Sequence, residues 1–172
     1  PLAYHTVFFG DDYPDEFDSI FARRAMTKTP TVYVCAQDRA PGAGPDDGEE
    51  RIFCLANAAP GDMDAATVAR YRERLLAALE RHGLALEPAG GALVSTAPPD
   101  FGALFPATGG ALYGQPTHGW RSSFLRPGSR SRLRGLYLAG GSVHPGPGVP
   151  MAAQSGRLAA ASVRADLGLE SA

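Results

Sequence analysis

The chain has 172 residues, 44% of them hydrophobic, with 16 basic and 18 acidic side chains and a formal net charge of -2. That balance leaves no electrostatic footprint for a nucleic acid or a long acidic polymer, and the length suits one core or two small lobes. The two cysteines, Cys35 and Cys54, sit inside apolar runs without a second cysteine or a histidine at metal-ligand spacing, so two buried free thiols in a reducing compartment are expected and a metal site is not.

The chain opens at Pro1 and enters the apolar run TVFFG almost at once, which suggests a piece of a longer protein. No basic-then-apolar leader and no stretch near about 18 consecutive apolar residues is present, so neither a signal peptide nor a spanning helix is expected. Tyr4 to Phe9 predicts a strand. DDYPDEFDSIFARR then predicts a short helix with Asp12 near its cap and Phe17, Ile20 and Phe21 on one face, covering a sheet. TVYVCAQDR, residues 31–39, is rich in β-branched and aromatic residues and reads as a strand. A polar Gly/Pro segment, APGAGPDDGEE, leads to a further strand, RIFCLANA.

From Asp64 to His82 the period changes. Val68, Tyr71, Leu75 and Leu79 recur at spacings of three and four, which predicts an amphipathic helix that Gly83 terminates. Apolar pieces at 84–87 and 91–96 suggest two more short strands in a mixed or antiparallel layer covered by helices. The middle section, residues 96–132, has too many Pro and Gly residues for long regular elements. Phe101, Phe105, Tyr113, Trp120 and Phe124 nevertheless make it too apolar for a disordered linker. LRGLYLAGG then reads as a buried strand, and VPMAAQSGRLAAASVRADLG as a helix starting near Val149 with Pro150 in its first turn and ending at Gly168.

The stretch joining that last strand and helix carries the chemistry. Gly140, Gly141, Gly146 and Gly148 flank a helix start, where backbone without Cβ atoms can approach a bulky charged group and the first-turn amides can point at it. The small residues Ala152, Ala153, Ser155, Gly156 and Ala159 to Ala161 keep the helix narrow enough to lie against a sheet or a flat cofactor. An ordinary Gly/Pro loop followed by close helix packing gives the same pattern. The stronger dinucleotide fingerprint, GxGxxG followed by a ribose-binding acid, is not reproduced here.

GLYLAGGSVHPGPGVPMAAQSGRLAA, together with FPATGGALYGQPTHGWRSSFLRPGSRS before it, closely resembles the C-terminal segment of the phytoene desaturase-type carotenoid oxidoreductases. VFFGDDYPDEFDSIF and TVYVCAQDR extend the resemblance through essentially the whole chain, most of all to the bacterial hydroxyneurosporene or methoxyneurosporene desaturases. The resemblance implies an α/β architecture: the C-terminal portion of an amine-oxidase-like two-lobe flavoprotein, with an α+β substrate lobe and part of a Rossmann-like FAD lobe. In that family an N-terminal segment carries the GxGxxG unit. Residues 1–110 would form part of the substrate-binding sheet lobe, 111–134 a Gly/Pro/Arg-rich connection, and 135–172 the final strand and helix of the FAD lobe.

The implied reaction is desaturation of an acyclic carotenoid, at the 3,4 position of a 1-hydroxy or 1-methoxy neurosporene-type substrate. A phytoene desaturase, another oxidoreductase or isomerase of the family, or a fragment with only a structural role are the alternatives. The cofactor implied is FAD. Gly140, Gly141 and Ser142 would lie beside its ribityl and pyrophosphate portion, with Gly148 in the nest and Val149, Pro150 and Met151 at the isoalloxazine end. The partners implied are a hydrophobic polyene and the surface of a lipid bilayer, the enzyme sitting peripherally on the cytoplasmic side without binding nucleic acid.

Among single residues, His144 could move a proton near the reactive face or simply bond a loop carbonyl. His118, in PTHGW, could face the flavin or the tunnel, or hold a loop. His5 and His82 lie at a strand start and a helix end, where surface or packing roles are expected. Arg121, Arg126, Arg130, Arg132 and Arg134 could meet lipid headgroups or the pyrophosphate, or form a solvated loop. Arg157 could pair with a phosphate or cross between lobes. Asp11, Asp12, Asp15 and Asp18 are explained by capping and the helix dipole. Ser155 lacks a nucleophile-elbow context, which argues against a hydrolase.

Overall fold

The computed structural model describes residues 2–39, 49–91, 93–113 and 125–169. The chain divides into two compact units, Pro1–Ala111 and Leu112–Ala172. The first is a small α+β unit built on an antiparallel sheet of three strands in the order β1-β2-β3: β1 is His5–Phe8, β2 Val32–Ala36 and β3 Ile52–Ala56. Register pairs Val7 with Tyr33 and Tyr33 with Leu55, and His5 with Cys35 and Cys35 with Phe53.

Side chains alternate across a strand, so one face of the sheet carries Phe8, Val32, Val34, Ile52 and Cys54. Against it packs α2, Ala65–Arg81, and the buried cluster is Val32, Val34, Ala78 and Leu79, with Leu79 fully enclosed. The side chain of Asp64 accepts from the Thr67 amide at 2.7 Å and caps the helix start. At the other end the amides of Gly83 and Leu84 donate to the carbonyls of Glu80 and Leu79, a Schellman closure. Asp64→Ala is expected to lower the stability of this unit by about 1 kcal/mol. Urea unfolding followed by circular dichroism checks it, and a midpoint unchanged from wild type would show that the cap contributes nothing.

Four expectations are corrected. Residues 84–87 and 91–96 form no strand among the described residues. Leu84 and Leu86 instead pack against the α2–β2 core, while Leu93 and Val94 are exposed after a single 3-10 turn, Ala89–Gly91. Apolarity at Leu84 and Leu86 serves packing against the α2–β2 core.

The helix α1, Tyr13–Phe21, is turned the other way from the expected amphipathic reading. Asp12 caps it, its side chain accepting from the Asp15 amide at 3.0 Å. Its buried residues, however, are Glu16 and Ser19, and Phe17 and Phe21 face outward. The polar side is held in because Glu16 accepts from the Thr31 amide and from the Asn57 side chain, both at 3.1 Å, while Asp15 bonds Thr27, Ser19 and Arg23. The cysteines are free, but only Cys35 is buried; Cys54 is half-buried, and burial pushes its thiol pKa up.

A helix α3, Pro98–Leu104, falls inside the Gly/Pro-rich middle section, its start fixed by the Asp100 carboxylate accepting from the Ala97 amide at 2.7 Å. In the second unit the expected buried strand at 135–139 is reduced to a bridge between Arg130 and Tyr137, with Leu136 exposed. The helix α4, Val149–Asp166, forms as the pattern requires and closes through Gly168 and Leu169 amides donating to Ala165 and Arg164 carbonyls.

Candidate functional site

The glycine segment and the start of α4 lie together in the second unit. Ser155, fully buried in the second turn of α4, accepts from the Gly140 amide at 3.1 Å and so ties the loop to the helix. The Gly140 carbonyl accepts from the Val143 amide at 3.1 Å, closing a turn through Gly141 and Ser142. Gly140 and Gly148 both have positive φ, at 124° and 101°, and a Cβ at either would meet nothing within 4 Å. Glycine is needed there for the backbone conformation, and the space beside it is open.

No side chain caps α4 at Gly148. The first-turn amides of a helix have no intrahelical partner, and the macrodipole places partial positive charge there. Val149, Pro150, Met151 and Ser142 are all exposed around this end. Arg126 adds a formal charge: its guanidinium donates to the Gly141 carbonyl at 3.0 Å and lies 3.6 Å from where a Cβ of Gly146 would stand. Sequence reading grouped Arg126 with four other arginines. Its contact with the Gly141–Gly146 turn is tertiary, and no spacing rule reveals it.

His144 has an exposed side chain, and its backbone amide donates to the Pro127 carbonyl at 2.8 Å. His118 lies outside the described residues, as do Trp120, Arg121 and Phe124. Arg157 bonds Gln154 at 3.3 Å. Ser155 is structural: buried and committed to Gly140, it has no place as a nucleophile.

The arginine loop is partly spent on the fold. Arg130 pairs with Asp166 at 2.8 Å, Tyr137 donates to the same carboxylate at 2.7 Å, and Ser129 bonds Ser162 at 2.8 Å, fastening the loop to the end of α4. The Arg130 guanidinium, then the Tyr137 hydroxyl, hold Asp166 below the usual carboxylate range. A carboxylate with a depressed folded-state pKa contributes stability that is present above its unfolded value and lost as pH falls through the folded one. Asp15, Asp38, Glu50 and Asp64 are shifted the same way by hydrogen bonds from Thr27, Arg51, Arg39 and Thr67 respectively. The urea midpoint is therefore expected to hold from pH 7 to about 5 and to fall below about pH 4, with a weaker fall in Asp166→Asn. An equal midpoint at pH 6 and pH 3 would exclude this linkage.

Elsewhere, an open recess of about 600 Å3 in the first unit is lined by Arg24, Pro60, Asp62, Asp64, Thr67 and Tyr71. Three of its polar groups are engaged locally: Arg24 donates to the Pro60 carbonyl at 3.0 Å, Asp64 caps α2, and the Tyr71 hydroxyl accepts from the Met26 amide at 3.1 Å. No group of three or more His, Cys, Asp or Glu side chains fit for a metal ion occurs among the described residues.

No family model matches the chain. Among curated proteins it is 54% identical, over 97% of its length, to the hydroxyneurosporene desaturase of Rubrivivax gelatinosus, of which it covers 33%. It is 46% identical over 97% of its length to the hydroxyneurosporene desaturase of Cereibacter sphaeroides, covering 34% of it. With the carotenoid 3,4-desaturase of Haloarcula japonica the identity is 32% over 97% of this chain and 34% of that protein. The chain thus spans about a third of the length of these relatives.

Proposed function

We propose that this chain, which matches the bacterial hydroxyneurosporene desaturase family over nearly its whole length, is part of a FAD-dependent carotenoid desaturase. Its substrate is an acyclic polyene with a 1-hydroxy or 1-methoxy end, desaturated at the 3,4 position. Residues 1–110 belong to the substrate lobe, 111–134 to the connection and 135–172 to the flavin lobe.

The observation that carries the cofactor assignment is the uncapped start of α4, set beside open-space glycines and the Arg126 guanidinium. These groups fit an anionic, bulky cofactor held mainly by backbone. Gly140, Gly141, Ser142 and Gly148 would hold its ribityl and pyrophosphate portion, and Val149, Pro150 and Met151 its ring end. When bound, FAD supplies the two-electron acceptor for loss of a hydride and a proton from adjacent carbons, which leaves one further double bond. Ser155 fixes the Gly140 backbone for that purpose, and Arg126 offsets negative charge. His144 and His118 are the candidates for taking the proton.

The polyene is expected to be met at a membrane surface on the cytoplasmic side. Among the described residues no helix is long and apolar enough to cross a bilayer, which fits peripheral attachment. Two measurements test the reading. Product analysis of the enzyme containing this chain should show a 1-hydroxy or 1-methoxy polyene converted at its 3,4 position; conversion of phytoene alone would favour a phytoene desaturase. FAD titrated into the isolated chain and followed by fluorescence anisotropy should bind with a Kd above roughly 100 µM, weaker than about 5.5 kcal/mol. Micromolar binding would overturn the view that the chain holds only part of the flavin site.

A further inference from the structure

Residues 126–130 are fastened at both ends within the second unit. At one end Ser129 bonds Ser162 and Arg130 pairs with Asp166, each at 2.8 Å and both on the last turns of α4. At the other the Pro127 carbonyl accepts from the His144 amide at 2.8 Å, which anchors Arg126 beside the Gly141–Gly146 turn. The Arg126 guanidinium makes two different contacts there. Its Nη1 donates to the Gly141 carbonyl at 3.0 Å, and its Cζ, Nη1 and Nε atoms stand 3.6, 3.7 and 3.8 Å from where a Cβ of Gly146 would be. Near-equal distances to three bonded atoms of a planar group put that point above the plane, so the face of the guanidinium covers Gly146 while its edge binds Gly141. A lysine ammonium carries the same charge but has neither the plane nor the fork.

The consequence falls on one peptide group. The Val143 amide donates to the Gly140 carbonyl, so the Gly141–Ser142 peptide is the middle of a four-residue turn. Two turn types close with that same bond and differ in which way the middle peptide faces. Neither Gly141 nor Ser142 has a positive φ, and the Ser142 side chain disfavours the type that needs one. Arg126 acts to the same end by binding the Gly141 oxygen. In a trans peptide the carbonyl and the next amide point opposite ways, so fixing that oxygen also aims the Ser142 N–H. A peptide turned over would present an oxygen where the N–H now points, and an anion would meet repulsion in place of a donor.

We propose that Arg126 is a positioning residue for the flavin: by holding the Gly141 carbonyl it points the Ser142 amide at the anionic portion of the cofactor, and the planar shape of the guanidinium is what does this. The proposal rests on the FAD-dependent desaturase reading and deepens it, giving Arg126 a role that its charge alone does not supply.

The test uses the full-length enzyme containing this chain, stripped of flavin, as wild type, Arg126→Lys and Arg126→Ala. Two quantities are read, neither of them turnover. Hydrogen exchange at the Val143 and His144 amides reports the turn without cofactor, and quenching of flavin fluorescence gives the affinity for FAD. Both variants are expected to exchange these amides about tenfold faster or more and to bind FAD about tenfold more weakly or more, the scale of one hydrogen bond from a charged donor. Wild-type affinity in Arg126→Lys would reduce Arg126 to a charge and overturn the proposal. Unchanged exchange in both variants would overturn it too, as would faster exchange with no loss of affinity, and each of these leaves the flavin reading standing. A wild-type apoenzyme that takes up no FAD would overturn the flavin reading and the proposal together. Far-UV circular dichroism verifies folding, and Arg126→Lys alone decides the matter if the alanine variant does not fold.

Discussion

Gly10→Ala is expected to destabilise the first unit by about 3 kcal/mol or more, the upper range for steric overpacking of a closed site. A Cβ at Gly10 would stand 2.0 Å from the carbonyl oxygen of Thr29 and 3.1 Å from its carbon. Both are backbone atoms, so no side chain can rotate out of the way. The chain on either side is also pinned: the Gly10 amide donates to the Thr31 hydroxyl at 3.2 Å, and Thr31 in turn donates its own amide to Glu16. Relief requires the segment before β2 to shift away from the segment after β1, which disrupts the pairing that begins at Phe8 and Val32. A urea titration followed by circular dichroism gives the result directly, and a midpoint within error of wild type would mean the two segments are not in contact in solution.

Glu16→Leu is expected to cost about 1 to 2 kcal/mol. Glu16 is 2% exposed, and its two oxygens accept from the Thr31 amide and the Asn57 side chain. Leucine would leave the half-buried Thr31 amide without its partner, at about 1 to 3 kcal/mol, while the exposed Asn57 side chain can turn to water, and the loss is offset by the desolvation that the carboxylate no longer suffers. Glu16→Gln keeps an acceptor for one of the two donors and should recover part of the loss. A stabilised Glu16→Leu variant would show that desolvation of the carboxylate outweighs its bonds. The same tether decides which side of α1 meets solvent: it draws the polar side inward and leaves Tyr13, Phe17 and Phe21 as an edge-to-face and stacked series continuing outward from Phe9. The two substitutions together test whether that orientation depends on the Gly10–Thr31–Glu16 connection. If it does, both should raise the exposure of Thr31 and Asn57 amides to hydrogen exchange.

Where local chemistry and packing pointed the same way, the sequence was legible. Asp12 and Asp64 are caps by side-chain type and position, and α2 and α4 end at glycines through bonds that depend only on the last turn. The strands Val32–Ala36 and Ile52–Ala56 stand out because β-branched and aromatic residues cluster in them. The glycines before α4, the narrow helix after them and the family resemblance were likewise visible in order along the chain.

What the sequence alone determined about this protein, then, is its local elements, their caps and the kinship of its motifs, because those depend on residues within a few positions of one another. Only the tertiary structure decided that Glu16 lies inside and Phe17 outside, that Leu84 and Leu86 fill a core without joining a ladder, and that Arg126 rests on the Gly141–Gly146 turn. It also brought His5 to Tyr33, 28 positions away. Each of these depends on which distant donor, acceptor or surface reaches a residue first, and antiparallel register and loop closure set that, not the pattern of the residues themselves.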